Sequence, residues 1–141
     1  MIRAACHCTD VRLEIERSPD WVNDCNCTLC RRYGPLWAYY EPGEVKLVQG
    51  VGATDDYRWD DKMLAFHRCK TCGCIAHFKS LADAPFICAV NGRMMPTLDP
   101  AGVRIQHKDN GHTEFFWTRS DGPIVASKHP KMDPPGPEDW R

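Results

Sequence analysis

Seven of the nine cysteines in this 141-residue chain fall into three tight groups. Cys6 and Cys8 form a C-x-C pair, Cys69 and Cys72 form a C-x2-C pair, and Cys25, Cys27 and Cys30 lie together in CNCTLC. Such pairs make poor disulfide staples, because a bridge closing so small a loop restrains little of the unfolded chain. They make good chelates. A tetrahedral zinc with Zn–S of ~2.3 Å needs sulfurs only ~3.7 Å apart, which a short bent loop can deliver. Joining the two pairs gives four thiolates, a closed site whose natural role is to stabilise the fold, and Gly73 follows Cys72 where a zinc knuckle often needs a positive φ. Cys25, Cys27 and Cys30 then remain as three thiolates, and three protein ligands with an exchangeable fourth position are the pattern of a catalytic zinc. The alternatives are closure of that site by His7, His67, Cys74 or Cys88, reduced buried cysteines without metal, or iron in place of zinc.

Other residues near these groups carry chemistry of their own. Arg31 and Arg32 follow the three-cysteine cluster and could attract substrate carboxylates, although adjacent arginines also form solvated edges. Tyr33, Trp37, Tyr39 and Tyr40 could line a pocket beside the metal or serve as ordinary strand packing. His7, lying between two ligands, is expected to point outward. His67 reads as a partner of the knuckle, an acid/base group or a plain strand histidine. His112 is expected at the surface and Cys88 as a small buried hydrophobe. Cys74 reads as inert, a ligand or a redox-active thiol.

The elements that must position these residues are mostly strands. Val11–Glu16 alternates apolar and polar residues as a half-buried strand does. Leu36–Glu41 and Val45–Val48 read as a hairpin around Glu41-Pro42-Gly43-Glu44. Tyr57–Trp59 and Met63–Arg68 follow around Asp60-Asp61-Lys62, then Ile75–Lys79, Pro85–Val90, Val103–His107 and Thr113–Thr118, with a turn at Asp109-Asn110-Gly111. Helix is scarce: one turn over Thr28–Tyr33 and a short piece at Arg93–Leu98. Residues 1–128 are expected to form one domain, and 129–141, rich in proline and charge, an extended tail.

Composition sets the outer bounds. An apolar fraction of 43% and a charged fraction of 26% are those of an ordinary globular protein. A net charge of −1 gives no basic excess for nucleic acid or an anionic membrane surface. No apolar run approaches the ~18 residues of a membrane span, and MIRAACHCTD lacks the apolar core of a secretory signal. A cytoplasmic protein is the expectation.

In order along the chain, Cys6-His7-Cys8, Cys25-Asn26-Cys27-Thr28-Leu29-Cys30-Arg31-Arg32 and Cys69-Lys70-Thr71-Cys72-Gly73 resemble the motifs of the glutathione-dependent formaldehyde-activating enzyme family, which includes the centromere protein V domain. Thr9 stands where that family usually has glycine. The resemblance implies a mainly β, Mss4-like fold of coiled antiparallel sheets stapled by zinc knuckles, with little helix. It implies two zinc ions per chain: a structural one on Cys6, Cys8, Cys69 and Cys72, and a catalytic one on Cys25, Cys27 and Cys30. It further implies a carbon–sulfur lyase that forms or cleaves a thiol–aldehyde adduct such as S-hydroxymethylglutathione, with small thiol and aldehyde partners, glutathione among them. The competing readings are a zinc-binding protein-interaction module and a redox or metal sensor.

Overall fold

The computed structural model describes residues 1–41, 43–82, 88–99 and 101–110, together with the backbone of 124–126. Eleven strands are found among them: β1 (Ile2–Ala5), β2 (Arg12–Ile15), β3 (Trp21–Cys25), β4 (Leu36–Tyr40), β5 (Val45–Gln49), β6 (Thr54–Tyr57), β7 (Leu64–Cys69), β8 (Ile75–Ser80), β9 (Cys88–Asn91), β10 (Arg104–Asp109) and β11 (Ile124–Ala126). A single helical turn, α1 (Cys30–Tyr33), and a 3-10 turn (Gly92–Met94) are the helical pieces. The fold is therefore mainly β, as the sequence implies.

The strands make two sheets. One holds β1-β2-β5, and the other runs β11-β10-β3-β4-β9-β8-β7-β6. Pairing is antiparallel except at β10, which runs parallel to both β3 and β11. Side-chain alternation gives the large sheet two differently furnished faces. Leu36, Ala38 and Tyr40 of β4 turn towards a core shared with Ala4, Val11, Leu13 and Ile15 of the small sheet. Trp37, on the other face, packs with Phe66, Phe78, Trp59 and the three cysteines Cys25, Cys27 and Cys30. Phe78 meets the Trp37 ring edge-on at 4.8 Å between centroids, and Phe66 lies tilted against it at 6.1 Å.

The expected hairpin between Leu36–Glu41 and Val45–Val48 does not form. β4 pairs with β3 and β9, and β5 pairs with β2 in the other sheet. The reason is burial: β4 is nearly all buried and needs a central position, whereas β5 is half exposed and suits an edge. Glu44 redirects the chain between the sheets. Its carboxylate accepts from the Glu41 backbone N–H at 2.7 Å and its carbonyl from the Glu16 N–H at 3.0 Å.

Other boundaries shift for similar reasons. The strand expected at Tyr57–Trp59 is β6, Thr54–Tyr57, while Trp59 sits in the following connection with its ring buried. The helical piece expected at Arg93–Leu98 is the tighter turn at Gly92–Met94. β1 and β3 carried no legible alternation. The segments expected at Thr113–Thr118 and 129–141, and His112, lie outside the described residues.

Candidate metal centre

Two hairpin ends meet to build the first sulfur cluster. The turn after β1 is closed by hydrogen bonds from Thr9 N–H to the Cys6 carbonyl at 2.9 Å and from Cys6 N–H to the Val11 carbonyl at 3.0 Å. The turn after β7 is closed by Gly73 N–H on the Cys69 carbonyl and Cys69 N–H on the Cys74 carbonyl, both at 2.9 Å. Gly73 has φ +73°, the left-handed conformation that favours glycine. The cysteines on these two turns converge. Cys6 and Cys8 sulfurs lie 3.6 Å apart, Cys8 and Cys69 sulfurs 3.5 Å, and with Cys72 all four lie within 4.8 Å of one another. A tetrahedron of zinc-bound thiolates has edges of about 3.8 Å, so this donor set fits zinc. The cluster joins the small sheet to the large one.

The second cluster comes from a single loop. Cys25 ends β3, Cys27 lies in the turn, and Cys30 opens α1; all three are buried and their sulfurs lie within 4.8 Å of one another. Gly34, at φ +71°, ends the helical turn and its N–H bonds the Cys30 carbonyl at 2.7 Å. Among the described residues no fourth His, Cys, Asp or Glu ligand atom joins this group.

Each sulfur of the second cluster accepts an N–H. Asn110 Nδ2 donates to Cys25 Sγ at 3.0 Å, Cys30 N to Cys27 Sγ at 3.3 Å, and Trp37 Nε1 to Cys30 Sγ at 3.3 Å. The thiols also share charge unequally. Hydrogen bonds from Cys27 and Cys30 lower the Cys25 thiol to about 3. The bond with Cys25 in turn pushes Cys27 up to about 12 and raises Cys30 as well. One charge is thus accommodated and two further ones are resisted, a conflict that a divalent cation relieves. In the four-sulfur cluster the same contest places Cys72 at about 5, chiefly through the backbone N–H of Cys8. Cys8 rises to about 12, because desolvation and the neighbouring thiols outweigh the Asp10 backbone N–H.

The loop of the second cluster is strapped to β10. Asn26 Nδ2 donates to Asp109 Oδ1 at 2.6 Å, and its Oδ1 accepts from the Asn110 N–H at 2.8 Å. Two residues back along both strands, Asp24 and His107 face each other in register, buried, with Oδ2 and Nδ1 3.2 Å apart. Neither strap was legible in the sequence.

The remaining expected residues fall as follows. Tyr33, Trp37 and Tyr39 do pack with the three-sulfur cluster, and Tyr40 faces the other core beneath Arg17. Arg32 bonds back to the Thr28 carbonyl at 2.6 Å, within its own loop. His7 is exposed. His67 lies on the opposite face from Phe66 and the three sulfurs, stacked on His77 with centroids 4.5 Å apart. Neither histidine belongs to either cluster. Cys74 meets the His7 backbone N–H and the Cys72 thiol but lies outside the four-sulfur group. Burial pushes the half-buried Cys88 thiol up to about 11. Trp59 and Asn110 are site residues that the sequence reading did not select.

A family model described as glutathione-dependent formaldehyde-activating enzyme matches residues 1–102, a span that contains both sulfur clusters. The chain belongs to this family. Among the described residues, the groups that could hold a metal ion are the seven cysteines of the three motifs. The fold is also seen in the crystal structure of a Rhodobacter sphaeroides protein, 24% identical, with a TM-score of 0.64 over 74% of this chain and 99% of that one. No helix among the described residues is long and apolar enough to cross a membrane.

Proposed function

We propose that the protein is a zinc-dependent carbon–sulfur lyase of the formaldehyde-activating type. On this reading, Cys6, Cys8, Cys69 and Cys72 hold a structural zinc, and Cys25, Cys27 and Cys30 hold a catalytic one. The observation that carries it is the inequality of the two clusters: four converging sulfurs in one, and three in the other among the described residues. When bound at such a three-thiolate site, zinc supplies Lewis acidity and a soft position for a thiol or carbonyl ligand.

The chain's own residues supply the setting. Asn110, Trp37 and the Cys30 N–H fix the three sulfurs in place. Trp37, Trp59, Phe66 and Phe78 form an apolar wall that excludes water and strengthens electrostatic interactions near the sulfurs. The reaction joins a thiol sulfur to an aldehyde carbon. The C=O π bond becomes a C–O single bond, and the thiol proton ends on that oxygen; cleavage is the reverse. Holding the two reactants together removes the entropic cost of their encounter. Glutathione and formaldehyde are the substrates the family description supports; the cytoplasm is the compartment proposed.

The test is turnover of glutathione with formaldehyde by the zinc-loaded protein, beside Cys27→Ser. The expected result is two zincs in the wild type, one in the variant, and activity lost by at least about 100-fold with the fold retained. Full activity in Cys27→Ser, or a wild type that binds two zincs and turns over no thiol–aldehyde pair, would overturn the reading.

A further inference from the structure

The family match ends at residue 102, yet the three-sulfur cluster is completed by residues beyond it. β10 runs parallel to β3 with Lys108 opposite Cys25, so the end of β10 arrives beside the first sulfur. There the Asn26 N–H reaches the Lys108 carbonyl at 3.3 Å, and the Asn26 side chain bridges Asp109 and the Asn110 backbone. These bonds fix the Asn110 backbone. Its side chain is turned to the cluster, where Nδ2 donates to Cys25 Sγ at 3.0 Å.

We propose that Asn110 is a positioning residue for the three-thiolate site, setting both the placement and the electron density of the Cys25 sulfur. The proposal rests on the reading of that cluster as a metal site. An amide N–H on a sulfur lone pair withdraws charge from it. The sulfur then donates less to a bound cation, and its direction is fixed before the cation arrives. Asn suits this task because a neutral donor needs no counter-charge within a buried apolar site, unlike a lysine or arginine. The tuning element therefore lies in the part of the chain that the family pattern does not describe.

The test uses the full chain loaded with cobalt(II) or zinc, with Asn110→Ala, Asn110→Leu and Asn110→Gln. Leucine keeps the volume and removes the donor; glutamine keeps a donor on a longer arm. The expected result is a shift of the sulfur-to-cobalt charge-transfer band of the three-sulfur site in the Ala and Leu variants. Their zinc affinity at that site, measured against a chelator, should fall by about 10-fold, the lower end for loss of a hydrogen-bond partner of a metal ligand. Glutamine should recover part of both. The four-sulfur site in the same molecule is the internal control. An unchanged band with affinity within about two-fold of wild type, or equal losses at both sites, would overturn the proposal. Neither readout uses turnover. A protein inactive on glutathione and formaldehyde that still shows the shift would remove the lyase reading and keep this one.

Discussion

The two sulfur clusters are built from the same residue type at nearly the same spacing, but they draw their hydrogen bonds from different sources. In the four-sulfur cluster the donors are knuckle backbone: Val11 N–H on Cys6 at 3.3 Å, Asp10 N–H on Cys8, and Cys8 and Cys74 N–H on Cys72. In the three-sulfur cluster two of the donors are side chains, Trp37 from β4 and Asn110 after β10. Cys8 and Cys72 are also partly exposed, whereas Cys25, Cys27 and Cys30 are all buried against aromatic rings. Backbone donors come with the turn and make a site that assembles whenever the two hairpins form. Side-chain donors from distant strands make a site whose properties change by substitution without breaking the turn. The first arrangement suits a staple, the second a site with adjustable chemistry.

The largest effect should come from breaking the staple. Cys69→Ser removes one of four ligands that tie the small sheet to the large one, at a buried position. Structural zinc contributes on the order of 10 kcal/mol to small domains, comparable to the whole stability of a typical fold. The expected outcome is a protein without a cooperative thermal transition at 37 °C. Cys27→Ser should keep a cooperative transition, because its loop is also held by Asn26, Arg32 and Gly34. Calorimetry of the two variants side by side measures the difference. Equal melting losses would mean that both clusters are staples.

This asymmetry explains what was legible in the sequence. Cys6/Cys8 and Cys69/Cys72 sit on local turns whose chemistry is written in adjacent residues, including Gly73. The three-cysteine loop and its one-turn helix were legible for the same reason. β3 was not, because it is buried on both faces and carries a polar residue on each, Asn23 and Asp24, whose partners Tyr39 and His107 lie 16 and 83 residues away. Polar residues buried by distant partners erase the alternation that marks a strand. Asn110 escaped notice likewise: its role depends on β10 pairing parallel with β3, and no local pattern encodes that pairing.

A smaller effect separates acid sensitivity of the hairpin from acid release of metal. His67 and His77 face each other on β7 and β8, the strands whose turn carries Cys69 and Cys72. Burial lowers the His77 imidazole to about 4, with repulsion from His67 and Lys79 adding to it. Above the unfolded value of about 6.5 both states are neutral and the group contributes no pH dependence. Between about 6.5 and about 4 only the unfolded chain takes the proton, so stability falls as pH falls, and it levels off below. The total is of order 2–3 kcal/mol. His77→Leu should flatten this part of the curve when urea midpoints are compared from pH 7.5 to 5 at saturating zinc. If wild type and variant lose stability in parallel, acid acts through the thiolates alone and the hairpin adds nothing to the contrast between clusters.

The smallest effect lies within the staple, between its two knuckles. Gly73 reaches φ +73° without strain, whereas Thr9, at the corresponding bend of the first knuckle, holds φ +65° with a β-branched side chain. Such a residue in the left-handed region costs about 1–2 kcal/mol. Arg12 braces it, donating to the Thr9 carbonyl at 2.9 Å and to its hydroxyl at 3.1 Å, but these bonds are exposed and return little. Thr9→Gly removes the strain and gives back about 0.5–1 kcal/mol of backbone entropy to the unfolded chain. A net gain of about 0.5–1 kcal/mol in urea unfolding of the zinc-saturated protein should follow. A loss instead would mean that the Thr9–Arg12 brace, rather than the backbone bonds of the turn, orders the first knuckle. The staple would then depend on side chains as the three-sulfur site does, and the distinction between the two clusters would narrow to their number of sulfurs.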